Sequence, residues 1–154
     1  MEISIIKPVR LHLSDNTKEW IIFWIRALCV FLFLFSAFDK FFDHARFLHG
    51  LAVVKVIGPF APFISWAVPF SETLVALLMY LRRTFILGLY GFTGLMTVFT
   101  AYITIMVLWA EKLPCRCNIL IEQLTFVQHL WFNVAFIFLS ITALWLHHQI
   151  NTKK

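Results

Sequence analysis

Residues 20–38 read WIIFWIRALCVFLFLFSAF, an apolar run in which Arg26 is the single charge. A bilayer core needs about 20 apolar residues per helix, so this run predicts a membrane-spanning helix. Three further apolar runs follow at about residues 62–81, 84–110 and 126–147. The sequence therefore predicts an all-α fold, an integral membrane four-helix bundle.

The composition supports a membrane protein. The chain has 154 residues, of which 61% are apolar and 14% are charged, and its mean hydropathy is +0.84. A soluble domain carries about 25% charged residues, and a disordered chain is far less apolar. Four spans with short loops leave no room for a large extramembrane catalytic domain. No repeat or linker interrupts residues 1–154, so we expect a single membrane domain.

The segment between the first two spans has its own pattern. Residues 39–60 read DKFFDHARFLHGLAVVKVIGPF, in which Asp39, Asp43, Arg46 and Gly50 recur at helical spacing opposite a mainly aromatic and aliphatic side. This pattern is typical of an amphipathic helix that lies in the interface or re-enters the membrane.

The third span carries a stripe of small residues at Gly91, Gly94, Thr97, Ala101 and Thr104. Small residues allow neighbouring helices to approach closely in lipid. The stripe therefore predicts a helix-packing face.

The distribution of basic residues predicts the orientation. With four spans, the two termini and residues 82–83 share one side and hold seven Lys and Arg, against five on the other side. The positive-inside rule then places both termini in the cytoplasm and residues 111–125 outside, in the periplasm of a bacterium. We expect a multi-pass protein of the bacterial inner membrane. The basic residues lie at the termini and at the ends of the spans, where the orientation of the spans and anionic lipid account for the formal charge of +5. No nucleic-acid partner is therefore expected.

The outer loop contains the closely spaced pair Cys115 and Cys117. Two thiols one residue apart close only a small, strained disulfide ring, which favours exchange over a structural role. Arg116 between them favours the thiolate. Two free thiols, or half of a metal site, remain the alternatives. Cys29, within the first span, is expected to be an apolar filler.

Two polar residues begin the fourth span. His129 is on the side of the paired cysteines and is a candidate to act as a base or to stabilise a thiolate, while Asn133 lies one turn further on. A local hydrogen bond is the alternative role for His129. The His and Asp residues of 39–60 match no specific metal spacing, so no metal site is predicted.

Two charges lie inside predicted spans. Glu72 is near the middle of the second span, three residues after Pro69, and Arg26 is in the first. Intramembrane charges are costly and are usually paired or functional. One interpretation is an Arg26–Glu72 ion pair that braces the bundle. The other is a polar site for a quinone or a proton relay, formed by Glu72, Arg26 and Asn133.

Several motifs occur together in a recognisable order: Phe35–Lys40 (FSAFDK) followed by Phe47, then Pro69–Glu72 (PFSE), Phe99–Tyr102 (FTAY), Pro114–Cys117 (PCRC) and His129–Asn133 (HLWFN). In this the chain resembles the MauE-like membrane proteins, relatives of the DoxX group, over roughly residues 20–147. The resemblance implies a four-helix membrane protein linked to methylamine utilisation, with a proposed role in maturing a disulfide-rich subunit of a periplasmic dehydrogenase.

The resemblance also implies site residues. Lys40, Glu72, Cys115, Cys117, His129 and Asn133 stand at motif positions. The fold is similar to the vitamin K epoxide reductase type, which passes electrons from thiols to quinone. Ala37 and Asn118 stand where the family often has Gly, and the chain has no Cys-x-x-Cys, so the two-pair relay of that enzyme is not reproduced.

The leading functional hypothesis is thiol–disulfide exchange, or maturation of an exported partner protein. In this hypothesis Cys115 and Cys117 exchange electrons with partner thiols, His129 tunes the thiolate, and a quinone near Glu72 is the candidate cofactor. The alternative is a non-catalytic membrane subunit that assembles or anchors an envelope complex. Under both hypotheses the partners are the lipid bilayer and other membrane or periplasmic proteins.

Overall fold

The protein is described by a computed structural model, which covers residues 14–52, 54, 57–109 and 126–152. These residues form five α-helices: α1 (Asp15–Phe42), α2 (His44–Ala52), α3 (Ala61–Tyr80), α4 (Phe85–Trp109) and α5 (Phe126–Asn151). A 3-10 turn at Gly58–Phe60 precedes α3. The described residues contain no strand, and the predicted all-α membrane bundle is confirmed.

Four of the helices are long and apolar enough to cross a membrane. The bounds of α3 and α4 lie within one residue of the predicted runs 62–81 and 84–110. Helix α1 extends beyond residues 20–38 at both ends, and α5 continues past residue 147. Ser14 caps α1, since its side chain accepts a hydrogen bond from the backbone N–H of Thr17 at 3.3 Å. Large apolar side chains such as Trp24, Phe31 and Phe138 face outward. A lipid environment accounts for this surface, which water would disfavour.

The predicted amphipathic helix is confirmed as α2, which packs against the first turns of α3. Leu51 is buried, whereas Arg46 is exposed. Arg46 Nη1 lies 3.9 Å from Oδ2 of the partly exposed Asp43, at the end of α1. Gly50 was expected on the polar side and is instead buried. Without a side chain, Gly50 carries no polarity of its own, so the pattern alone could not assign it to a face.

The core lies between α1, α3, α4 and α5. It is built from residues such as Phe33, Met79, Leu89 and Phe92, and the rings of Phe33 and Phe92 are 4.4 Å apart. Cys29 is fully buried in this core, which fits its expected role as an apolar filler.

Helices α3 and α4 pack closely near their connection at residues 81–84. A Cβ atom at Gly88 would be 2.5 Å from the backbone nitrogen of Met79, and one at Gly91 would be 3.0 Å from Val75 Cγ2, whereas Gly94 is exposed and has nothing within 4 Å. Of the predicted stripe of small residues, Gly91 therefore packs against α3, while Gly94 faces outward from the described bundle.

Candidate functional site

A cavity of about 280 Å³ lies at one end of the bundle, which we call the cavity end. The cavity end comprises the last turns of α1 and α4, the first turns of α5, the first half of α3, and α2. The opposite end, where residues 81–84 join α3 to α4, is called the closed end. Most of the cavity wall is apolar and includes the rings of Phe47, Phe99 and Phe132. Its polar residues are Ser36, Lys40, Glu72, Tyr102, His129 and Asn133.

The most strongly polar part of the wall is an ion pair. Lys40 Nζ lies 2.9 Å from Glu72 Oε1 and 3.2 Å from Oε2. Glu72 is 1% exposed and Lys40 is 8% exposed. Glu72 follows Ala61 by eleven residues, or about 16 Å along the axis of α3, which is roughly half the depth of a bilayer core. The pair is therefore an intramembrane charge pair, a feature that is usually functional or structurally essential.

Ser36 completes this network. Its hydroxyl donates to Glu72 Oε1 at 3.1 Å and accepts a hydrogen bond from Lys40 Nζ. Ser36 and Lys40 are four residues apart, so they project from the same face of α1. The Lys40 ammonium also contacts the backbone oxygen of Ser36 and lies 5.6 Å from the centre of the Phe47 ring. Each proton of the ammonium thus has an acceptor, and the pair is neutral overall.

Tyr102, from α4, contributes a different kind of group. Its hydroxyl oxygen is buried, and within the described residues it has no hydrogen-bond partner. A buried polar group without a partner costs about 1–3 kcal/mol. Such a cost points to an acceptor outside the described residues.

The two predicted polar residues of α5 line the same cavity. His129 is half-buried in the first turns of α5, and Asn133 is 4% exposed one turn further on. Thus Glu72, His129 and Asn133 are brought together by the fold, as candidate residues of one site. Tyr102 and Ser36 were not singled out, although both belong to motifs that carry the family resemblance.

Arg26 is not part of this site. Its Nη2 donates to the backbone oxygen of Tyr80 at 3.1 Å, and its guanidinium lies 5.8 Å from the centre of the Phe85 ring. The predicted Arg26–Glu72 ion pair is therefore wrong, as is the placing of Arg26 beside Glu72 and Asn133. Because α1 and α3 are antiparallel, residue 26 meets the last turn of α3, and residue 40 meets Glu72. Arg26 instead satisfies a free carbonyl at the C-terminus of α3.

Helix α2 is attached over the cavity by His44. Its Nε2 is 3.1 Å from Ser65 Oγ, and its ring stacks on Trp66 at 4.2 Å. Ser65 also donates to the backbone oxygen of Pro62. Since a hydroxyl has one proton, His44 Nε2 is then the donor to Ser65. These contacts hold Phe47 and Leu51 of α2 against the cavity.

The sequence also raised the cysteine pair and metal binding as questions for the structure. Cys115 and Cys117 lie outside the described residues, in the segment that joins α4 to α5. Among the described residues, no three His, Cys, Asp or Glu side chains are grouped so that they could hold a metal ion. The candidate site in the described bundle is therefore an apolar cavity with a neutral ion pair, a histidine, an amide and an unsatisfied hydroxyl.

The chain matches one described protein family over most of its length. No curated protein and no solved structure matches the chain. The family described as methylamine utilisation protein MauE matches residues 18–146, which include all five helices except the start of α1 and the end of α5. The match and the four apolar helices identify a multi-pass membrane protein, and the chain belongs to the MauE family.

Proposed function

We propose that this protein carries out thiol–disulfide exchange with an exported partner protein, through Cys115 and Cys117. The whole chain acts as one membrane domain of the bacterial inner membrane, with both termini in the cytoplasm. The supporting observation is the position of the cysteine pair in the chain. The pair lies between α4, which ends at the cavity end, and α5, which begins there. Its partners are other membrane or periplasmic proteins.

Chain length limits how far the thiols lie from the site. Cys115 follows Trp109 by six residues, and an extended chain spans at most about 3.6 Å per residue, so its Cα is within about 22 Å of the end of α4. His129 lies at the same end, three residues into α5. The exchange chemistry and the polar cavity are therefore at the same end of the bundle.

The exchange balances without another reactant. One thiolate of a reduced partner attacks the Cys115–Cys117 disulfide, forming a mixed disulfide and releasing one cysteine as a thiolate. The second partner thiolate attacks the mixed disulfide. The partner leaves oxidised, and Cys115 and Cys117 are left as thiols. Arg116 and His129 stabilise the thiolate that is released in the first step.

The test traps the mixed disulfide. We expect Cys115→Ser to accumulate, in cells, a reducible adduct in which mass spectrometry finds Cys117 linked to a partner cysteine. In Cys115→Ser the exchange runs in reverse: the Cys117 thiolate attacks a disulfide of the oxidised partner, and no Cys115 thiol is present to resolve the mixed disulfide. Cys117→Ser should trap less, because Cys117 is nearer to α5 and its thiolate is expected to be the better stabilised. The matched control is Cys29→Ser, which alters a buried core cysteine and should trap nothing.

Orientation is tested separately. A membrane-impermeant maleimide should label reduced Cys115 or Cys117 in intact spheroplasts. Labelling that requires permeabilisation would contradict the orientation and, with it, exchange with an exported partner.

A non-catalytic subunit that anchors or assembles an envelope complex is the second candidate. One observation favours it: Gly94, Thr97 and Ala101 form an exposed small-residue surface on α4, which suits a helix of another protein. If the Cys115→Ser, Cys117→Ser double variant supports full partner maturation and no adduct forms, this candidate replaces the redox function.

A further inference from the structure

The proposed exchange leaves Cys115 and Cys117 reduced, so a two-electron acceptor must restore their disulfide. We propose that the cavity binds the headgroup of a lipid-soluble quinone, with the Tyr102 hydroxyl donating a hydrogen bond to a quinone carbonyl oxygen. The electron transfer rests on the proposed function. The binding site rests only on the cavity and its residues.

The shape of the cavity suits such a ligand. Its volume of about 280 Å³ is close to the lower end of the roughly 300–1,000 Å³ typical of ligand sites. A ring system fits in this space, while a long isoprenoid chain remains in lipid. Val98 lines the cavity and is 62% exposed, so the cavity reaches the lipid-facing surface beside α4.

The charges on the wall favour a neutral headgroup. Lys40 is already neutralised by Glu72, which lies 2.9 Å away. A fatty-acid carboxylate would meet the Glu72 carboxylate as well as the Lys40 ammonium, and it would gain little. A neutral carbonyl oxygen meets no such repulsion, and it can accept a hydrogen bond from the Tyr102 hydroxyl, which has no partner among the described residues.

The rest of the wall fits the same ligand. The rings of Phe47, Phe99 and Phe132 offer apolar, flat surfaces against which a quinone ring packs. His129 lies on the wall nearest in sequence to the cysteine loop.

The redox step balances. The S–H bonds of Cys115 and Cys117 break, and one S–S bond forms between them, which releases two electrons and two protons. The quinone takes up both electrons and both protons, forming two O–H bonds and becoming a quinol. The two reactions together transfer two electrons from the partner thiols to the quinone pool.

Binding is tested with the full-length protein in lipid nanodiscs, titrated with decylubiquinone by calorimetry. We expect saturable binding that Tyr102→Phe weakens about three- to tenfold, the effect of one neutral hydrogen bond. The matched control is Tyr90→Phe, which removes an exposed hydroxyl from the same helix and should leave affinity unchanged. Val98→Trp, at the exposed side of the cavity, should also weaken binding without disturbing the core.

Three outcomes would overturn the site: no saturable binding to the wild type, equal affinities of the Tyr102→Phe and Val98→Trp variants and the wild type, or saturable binding of oleate in place of the quinone. The Cys115→Ser, Cys117→Ser double variant separates the two proposals. It should bind decylubiquinone normally but form no quinol when a dithiol is added. Quinone binding without cysteine-dependent quinol formation would support the site and contradict the redox function.

Discussion

The closed end and the cavity end of the bundle use the same helices in different ways. At the closed end, α3 and α4 approach until a single Cβ atom at Gly88 would meet backbone, and Arg26 satisfies a terminal carbonyl of α3. At the cavity end a cavity lies between the helices, and its wall holds an ion pair and a hydroxyl that has no hydrogen-bond partner among the described residues. The close packing at the closed end stabilises the bundle, and this stability offsets the cost of the buried polar groups at the cavity end.

The largest effect on stability is expected at the ion pair of Lys40 and Glu72. Glu72→Leu should lower the free energy of unfolding by about 3–5 kcal/mol, because it leaves Lys40 buried without a counter-charge. The double variant Lys40→Met, Glu72→Leu should recover most of that loss, since it removes both charges together. Unfolding of the variants in mixed detergent micelles measures this. Additive losses in the double variant would show that the two side chains do not stabilise each other.

The second effect concerns packing at the closed end. Gly88→Ala should cost about 1–3 kcal/mol, because the new methyl group must push α4 away from the backbone of α3. Gly94→Ala is the matched control on the same helix and should be neutral or slightly stabilising, since it meets no atom within 4 Å and alanine favours helix. Thermal melting in detergent compares them. A cost at Gly94 equal to that at Gly88 would contradict the close approach of α4 to the α3 backbone at Gly88.

A smaller effect is expected at Arg26. Arg26→Met keeps the aliphatic stem and removes the hydrogen bond to Tyr80, so we expect a loss of about 1 kcal/mol. Combined with Glu72→Leu, the two losses should add to within about 0.5 kcal/mol, because Arg26 is bonded at Tyr80, about 12 Å beyond Glu72 along the axis of α3. Unfolding of both single variants and the pair measures the coupling. A large coupling energy would restore the Arg26–Glu72 interaction.

The smallest effect is expected where α2 is attached. His44→Phe keeps an aromatic ring against Trp66 and removes the hydrogen bond to Ser65, which still donates to Pro62. We expect a loss below about 1 kcal/mol. Hydrogen exchange should become faster in α2 and stay unchanged at the closed end. Faster exchange throughout the bundle would show that α2 supports the whole fold.

The fold was predictable because its signals are local. The lengths of the apolar runs specify spans, and the charges at residues 39–46 mark an amphipathic helix, since both depend only on residues close in sequence. The helices extend beyond the apolar runs at both ends of α1, because backbone hydrogen bonds continue into polar residues such as Asp15 and Lys40. The helix boundaries depend on capping residues such as Ser14, which a hydropathy profile does not reveal.

The partner of Glu72 was decided by the tertiary structure. The first span offers two cations, Arg26 and Lys40, and no local pattern distinguishes them. The antiparallel register of α1 and α3 brings Lys40 to Glu72 and Arg26 to Tyr80. Register between helices is set by the packing of the whole bundle, so a single sequence does not reveal it.

By itself, the sequence determined that the chain is a helical membrane protein, that Glu72 is an intramembrane charge, and that His129 and Asn133 lie together on the fourth span. The tertiary structure decided that these residues line one cavity with Lys40, Ser36 and Tyr102. It also decided that the small-residue stripe closes against α3 near Gly91 and opens by Gly94. The physical reason is the same in each case: composition and spacing determine which residues belong to a helix, while distances between helices depend on every side chain packed between them.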